Sequence, residues 1–320
     1  MKNAGAARRA LVTGAAGQDG RYLCELLCSR GVTVFALVHE QDSAPPAVAQ
    51  VQGDLRNARS LRAAIDQAQP DSIYNLAAAT FVPESWTNPG HFRDVNELGV
   101  ARLLVAIRDS GAPIRFCQAS TAEMFGASGV HPLNEDTPLQ PLSPYGAAKA
   151  AAHRLVRQYR EEHNLFACSA ILFNHESPLR PPMFVTRKIT LAAARIARGL
   201  QKGLTLGNLE AARDWGYAPE YVEAMTAMLS APAPADYVIA TGRSCTVREF
   251  AEIAFARAGL NWRDHVTSDP ALSRPGDAAA RIGDPGRIAR DLGWRATTTV
   301  EQLAAIMVDA DLARIDRGET

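Results

Sequence analysis

A chain of 320 residues with 34 basic and 34 acidic side chains carries no overall charge with which to attract nucleic acid or an anionic membrane, so an anionic ligand must meet a local site. No apolar stretch is long enough to span a bilayer, and Met1 to Arg9 lacks the apolar core of a signal peptide, so a cytoplasmic protein is expected. The five cysteines are odd in number and show no disulfide spacing; Cys24 and Cys28, with no further ligand nearby, read as core thiols, and no metal is expected.

From Arg9 to Phe173, short β-rich runs alternate with longer amphipathic stretches, the pattern of repeated βαβ units around a parallel sheet. Strands are predicted at Ala10–Thr13, Thr33–Val38, Ser72–Leu76, Ile114–Ala119 and Phe166–Phe173. Helices are predicted near Gln18–Ser29, Ser60–Gln67, Val95–Asp109 and Pro144–His163. Right-handed connections between parallel strands would gather ligands at the carboxyl ends of the strands. Beyond Phe173 the alternation weakens and prolines and arginines cluster at Pro178–Arg187, as expected where a chain leaves its sheet. Tyr237–Ala240 reads as one more buried strand, followed by a helix that Thr246 and Glu249 cap; Thr298 and Glu301 are expected to open a last helix in the same way. The prediction is an α/β chain: a doubly wound, Rossmann-type parallel sheet over 1–173 with a returning strand near 237–242, and a smaller, interleaved C-terminal substrate domain over 174–320.

Between the first strand and first helix lies Thr13-Gly14-Ala15-Ala16-Gly17-Gln18-Asp19-Gly20, whose three glycines stand where a dinucleotide pyrophosphate rests on a helix N-terminus. Further along, Tyr145-Gly146-Ala147-Ala148-Lys149 puts a phenol and an ammonium on one face of a helix, and the cation is expected to bring the phenol toward neutrality as a proton acceptor. Ala119-Ser120-Thr121-Ala122-Glu123 follows a buried strand. A sugar epimerase or ketoreductase needs only a hydroxyl, tyrosine and lysine, whereas removal of water demands a further acid and base, which Glu123 could supply.

The Gly-x-x-Gly-x-x-Gly spacing resembles the extended short-chain dehydrogenase/reductase superfamily. With the Leu172–Pro178 run, Phe184–Ile189 and Arg213-Asp214-Trp215-Gly216, the chain is similar to the GDP-mannose 4,6-dehydratase family. That resemblance implies a nicotinamide cofactor held by Gly14, Gly17, Gln18, Asp19, Gly20, Asp54, Leu55, Leu76, Ala78, Thr80, Tyr145, Lys149, His175 and Arg180. It implies a catalytic set of Thr121, Glu123, Tyr145 and Lys149. Its nucleotide-sugar contacts would be Ser85, Asn174, Lys188, Asn208, Arg213, Arg274 and Asp277, with Ser85 equally readable as a loop hydroxyl.

Arginines suit phosphate because the guanidinium offers two charge-assisted hydrogen bonds. In the superfamily an acid at the end of the second strand binds the ribose hydroxyls of NAD; here that position is Val38, which favours NADP, while His39-Glu40 replaces the family's arginine pair and keeps NAD open. The short Gln41–Gln50 segment lacks the arginine-rich loop with which relatives reach a neighbouring subunit, so a homodimer is expected instead of a tetramer. His91 stands where the family often has tyrosine. The implied substrate is GDP-mannose, converted to its 4-keto-6-deoxy product. The alternatives are an epimerase or 4-keto-sugar reductase of the same superfamily, a dehydratase for another nucleotide hexose or heptose, and a binding protein that has lost its chemistry.

Overall fold

A computed structural model describes residues 8–39, 44–46, 48–126, 128–129, 131–272 and 281–319. Its elements begin with β1 (Arg9–Thr13), α1 (Gln18–Ser29), β2 (Thr33–Val38), β3 (Ala49–Gln52), α2 (Ala58–Ala68) and β4 (Ser72–Asn75). Two short helices, α3 (Glu84–Thr87) and α4 (Pro89–Arg93), lead through a π-helical turn at Asp94–Leu98 into α5 (Gly99–Ser110), β5 (Arg115–Thr121), α6 (Pro144–His163) and β6 (Ala167–Leu172). Then follow β7 (Asn174–Glu176), α7 (Val185–Ala197), β8 (Leu204–Leu206), β9 (Ala212–Arg213), β10 (Trp215–Tyr217), α8 (Ala218–Ser230) and β11 (Tyr237–Ile239). The chain closes with β12 (Cys245–Thr246), α9 (Val247–Arg257), β13 (Val266–Ser268), α10 (Gly286–Leu292) and α11 (Val300–Asp316).

Seven strands form one parallel sheet in the order β11-β6-β5-β4-β1-β2-β3. Alternate residues of each strand face opposite layers, as the pleat requires. Ala10 and Val12 with Val34, Ala36, Cys117 and Cys168 pack under α1 and α8, whereas Leu11, Leu37, Ile73 and Phe116 pack under α2, α5 and α6. Both faces are covered, so the strands are apolar without a polar face, except at the edge strand β3, where only Val51 is buried. The chain leaves this sheet after Leu172 and returns to it at β11, which pairs with β6, as the apolar run at Tyr237–Ala240 predicts. A separate cluster, centred on Ile189, Trp215, Phe250 and Met307, joins α7, α9 and α11.

Strand order reverses between β1 and β4: the chain first builds outward through β2 and β3, then crosses to the other side of β1. The splayed connections open a crevice at the carboxyl ends of these strands, where doubly wound sheets bind ligands.

Two local expectations are corrected. The last helix is capped by Thr299 with Gln302, one residue beyond the expected Thr298 and Glu301. Thr298 is unavailable because its hydroxyl and backbone N–H both donate to Glu220 Oε1, each at 3.0 Å. The expected helix over Val95–Asp109 instead starts with the π-helical turn, which carries Asn96 inward.

Candidate active site

The glycine loop is shaped by close backbone approach. Gly14 has φ 68°, and a Cβ there would lie 2.7 Å from the Ala77 backbone nitrogen. At Gly20 a Cβ would strike the Gly14 carbonyl oxygen, so only glycine lets α1 start so near the loop. Gly17 is exposed, and no side chain caps the first turn of α1. Uncapped N–H groups under an exposed glycine fit the pyrophosphate of a dinucleotide.

Behind the loop, Thr13 Oγ1 donates to Asn75 Oδ1 at 2.6 Å and accepts from Ala77 N at 3.0 Å, while Asn75 Nδ2 donates to Gln118 Oε1 at 2.7 Å. This buried relay ties together the ends of β1, β4 and β5. Asn96 then clamps Ala79 through both amide atoms, Ala79 N to Oδ1 at 3.0 Å and Nδ2 to Ala79 O at 2.9 Å. The segment holding Leu76, Ala78 and Thr80 is thereby fixed beside the crevice.

Asp54 accepts hydrogen bonds from Arg56, which hold its carboxyl below the usual range, and lies 3.3 Å from His39 Nε2. Its neighbour Leu55 is buried in the core below Gly99.

Tyr145 lies in the first turn of α6, a helix opened by Ser143, whose hydroxyl accepts from Gly146 N at 3.0 Å. One turn later Lys149 donates to the Ala119 carbonyl at 3.0 Å and its Nζ stands 6.0 Å from the Tyr145 ring centroid. Both groups are almost wholly buried. Burial pushes the phenol up to about 12, against a hydrogen bond from the Thr121 hydroxyl that favours its ionised form. Burial also brings the Lys149 ammonium down to about 8. The expectation that the lysine brings the phenol toward neutrality is therefore corrected: burial holds the phenol up, and the group that favours phenolate most is Thr121. Thr121 Oγ1 also accepts the backbone N–H of Glu123 at 3.2 Å, and the charge of the Glu123 carboxylate opposes a second negative charge on Tyr145.

With this geometry in place, comparison with known proteins is decisive. The family model described as GDP-mannose 4,6 dehydratase matches residues 11–307. The chain belongs to the GDP-mannose 4,6-dehydratase family. It is 45% identical to GDP-mannose 4,6 dehydratase 1 of Arabidopsis thaliana over 95% of this chain and 89% of that protein. To the GDP-mannose 4,6-dehydratase of Sinorhizobium fredii it is 40% identical, over 95% and 96% of the two chains. Among solved structures it is similar to the Thermus thermophilus UDP-glucose 4-epimerase complex with NAD, with TM-score 0.84 and 28% identity over 95% of this chain and 98% of that one.

The family's remaining positions fall around the crevice to different degrees. His175 and Asp19 meet, Nε2 to Oδ2 at 2.8 Å, and Gln18 Nε2 donates to the His175 carbonyl at 3.1 Å. Arg180 lies 3.1 Å from Glu176 Oε2 and over the Phe184 ring at 3.6 Å. Asn174 is half-buried on β7, which pairs with β10 just beyond Arg213, and Lys188 is exposed on α7. Arg213 is half-buried, with Nη1 on the Ala212 carbonyl at 2.7 Å. Asn208 Oδ1 accepts from Glu210 N at 2.9 Å, shaping its own turn.

Ser85, in α3, is sealed from solvent and its hydroxyl donates to the Val82 carbonyl at 2.6 Å, a bond within its own turn. Arg274 and Asp277 lie outside the described residues.

Sequence reasoning missed four residues that complete the site. Asn75 and Gln118 are buried amides in apolar strands, a combination that signals a relay, and Asn96 sits in the middle of an amphipathic pattern it interrupts. Arg281, paired with Glu123, has no local signature at all.

Proposed function

We propose that the chain dehydrates GDP-mannose to its 4-keto-6-deoxy product with NADP, as a cytoplasmic homodimer. The observation that carries this reading is the presence of the Glu123 carboxylate beside the Thr121–Tyr145 pair, an acid–base group that oxidation and reduction at carbon 4 do not need. The glycine loop, His175 and Arg180 would hold the dinucleotide, which would supply a hydride acceptor and later a hydride donor. Tyr145, as the phenolate that the Thr121 hydroxyl stabilises, receives the proton of the sugar 4-hydroxyl and becomes the neutral phenol. Lys149 fixes the Ala119 carbonyl edge and keeps a positive charge within the site.

The resulting 4-ketone acidifies carbon 5. Glu123 removes that proton and delivers one to the departing 6-hydroxyl. Lys188, Asn174 and Arg213 are assigned to the nucleotide sugar, with Arg274 and Asp277 completing the phosphate and ribose contacts.

NADP is favoured because β2 ends at Val38 without an acid, and the Arg56 guanidinium beside Asp54 is a cation suited to a phosphate ester. The dimer rests on the short Gln41–Gln50 segment and on α5 and α6, helices suited to two-fold pairing. All five cysteines are free thiols, the state that a reducing cytoplasm keeps.

The test is Glu123→Gln with GDP-mannose. The expected outcome is oxidation at carbon 4 with reduced nicotinamide accumulating and no 4-keto-6-deoxy sugar released. Release at the wild-type rate would instead support an epimerase or reductase reading.

A further inference from the structure

Arg281 reaches across 158 positions of sequence to place Nη1 on Glu123 Oε1. The arginine side chain is only 10% exposed and that of Glu123 29% exposed, so the pair sits at the wall of the site with part of the glutamate still open to a ligand.

The arginine has little freedom. Its backbone bridges that of Arg213, and its carbonyl accepts from Asp214 N at 3.2 Å. The next carbonyl, that of Ile282, accepts from Leu133 N at 2.8 Å, and Gly283 N donates to Asp214 Oδ2 at 3.3 Å. Asp214 is itself held by the backbone N–H and hydroxyl of Thr241 and by Gly242 N. Gly283 is wedged against Ala240 and Phe173 with no room for a Cβ.

Glu123 contrasts with this. Thr121 fixes its backbone N–H, but a glutamate side chain has three rotatable bonds, and its carboxylate is placed by what it meets.

We propose that Arg281 is a positioning residue for the elimination, holding the Glu123 carboxylate on the carbon 5 and carbon 6 side of the sugar. The proposal rests on the reading of Glu123 given above. The reaction asks this one group to act at two neighbouring atoms. A carboxylate oxygen takes the carbon 5 proton, and the electron pair of that C–H bond forms the carbon 5–carbon 6 double bond as the carbon 6–oxygen bond breaks. The proton then passes to the departing oxygen, water leaves, and the carboxylate returns to its pair with Arg281. No charge is gained or lost.

A carboxylate that must serve both atoms within one bound complex gains most from a rigid partner. An arginine supplies that rigidity because its planar fork fixes direction as well as distance. Oxidation at carbon 4 uses Tyr145 and Thr121 and feels Glu123 only through its charge, which opposes the phenolate, whereas elimination needs the carboxylate at the reacting atoms.

The experiment compares Arg281→Leu, Arg281→Lys and Glu123→Gln in the full chain loaded with dinucleotide and GDP-mannose. Absorbance of the reduced nicotinamide in a single turnover reports oxidation, and deuterium uptake from solvent at carbon 5 together with sugar mass reports elimination. Arg281→Leu should slow elimination about 100-fold, the scale of a misplacement of about 1 Å, while oxidation stays within about threefold of wild type. Reduced nicotinamide then accumulates, and Arg281→Lys should recover about tenfold of the elimination rate because it restores charge without the fork.

Elimination by Arg281→Leu at the wild-type rate, or equal loss of both steps, overturns the proposal, since equal loss marks a merely structural ion pair. Should the leucine variant fail to fold, Arg281→Lys decides alone: elimination must fall more than oxidation, and equal loss or no loss overturns the proposal. If Glu123→Gln is blocked in elimination and the Arg281 variants are not, only the role of Arg281 fails. If Glu123→Gln still releases product at full rate, the reading of Glu123 itself fails.

Discussion

His175 and Asp19 form a buried pair in which both ring nitrogens of the histidine face acceptors: Nε2 is 2.8 Å from Asp19 Oδ2 and Nδ1 is 2.7 Å from the Phe173 carbonyl. A neutral imidazole can donate from only one nitrogen, so this environment demands the doubly protonated ring. Burial opposes charge on both residues, but the attraction and hydrogen bond between them prevail, raising the histidine and lowering the aspartate from their ordinary values. The pair fastens the first turn of α1, beside the glycine loop, to β7.

Its contribution to stability has a defined pH window. A raised histidine stabilises fully below its ordinary value near 6.5 and loses that contribution as pH rises through the folded value; a lowered aspartate stabilises above 3.8 and loses it as pH falls through the folded value. Asp19→Asn is expected to cost about 1–3 kcal/mol at pH 6, with the gap narrowing as pH rises past the histidine's folded value. Urea unfolding of both proteins across pH measures it, and a gap independent of pH would contradict the imidazolium assignment.

Lys149 predicts an opposite slope. Burial lowers its ammonium to about 8 from 10.5, so the folded protein holds a proton less tightly than the unfolded chain. Relative to Lys149→Met, the wild-type protein should therefore gain stability as pH rises from about 8 through 10.5. Near pH 7 the methionine variant should be inactive yet more stable by about 1–2 kcal/mol, because relief of about 3 kcal/mol of desolvation is offset by the Ala119 carbonyl losing its donor. A methionine variant several kcal/mol less stable than wild type at neutral pH would show that the charge is better compensated than its surroundings indicate.

These pairs mark the limit of what sequence conveys. The Pro144–His163 helix is legible because Ser143 caps it, proline follows at its first position, and Asn164 ends it in the left-handed region. The glycine loop, the Tyr145–Lys149 spacing and the Thr121–Glu123 step are equally local. Ala49–Gln52 escapes because it is an edge strand with only Val51 buried, too weak a pattern to separate from its proline-rich surroundings. Arg281 and Asn96 escape for a different reason: each acts on a residue brought near only by the fold, 158 and 17 positions away. Even the cap of α11 is decided this way, since Glu220 takes the hydroxyl of the first of two candidate threonines.

At the glycine loop, Gly20→Ala tests close packing separately from chemistry. The added methyl would meet the Gly14 carbonyl oxygen and Ala15 backbone, neither of which can rotate away. The variant should lose about 1–3 kcal/mol of stability, the usual cost of overpacking, and bind dinucleotide at least about tenfold more weakly. Calorimetric titration with NADP and with NAD would measure the loss and, on the wild-type chain, establish which dinucleotide binds tighter. Undiminished binding would remove the glycine loop from the proposed cofactor site.

Tyr145→Phe isolates the proton acceptor. The ring packs edge-on against Phe92 at 6.3 Å between centroids, a contact phenylalanine preserves, so the fold should hold within about 1 kcal/mol. What disappears is the phenol oxygen, and with it the group that Thr121 stabilises as phenolate. Because burial, the largest influence, outweighs Thr121 and leaves the phenol protonated up to about 12, its ionisation depends on further charge and hydrogen bonds supplied in the assembled complex. The initial oxidation at carbon 4 should therefore fall by about 10²–10⁴-fold, while affinity for the nucleotide sugar changes less than about threefold. Stopped-flow absorbance of the nicotinamide and equilibrium binding of GDP-mannose separate the two effects. If the variant oxidised carbon 4 at the wild-type rate, another group would have to accept the hydroxyl proton, and the role given to Lys149 and Thr121 beside it would fall with that of Tyr145.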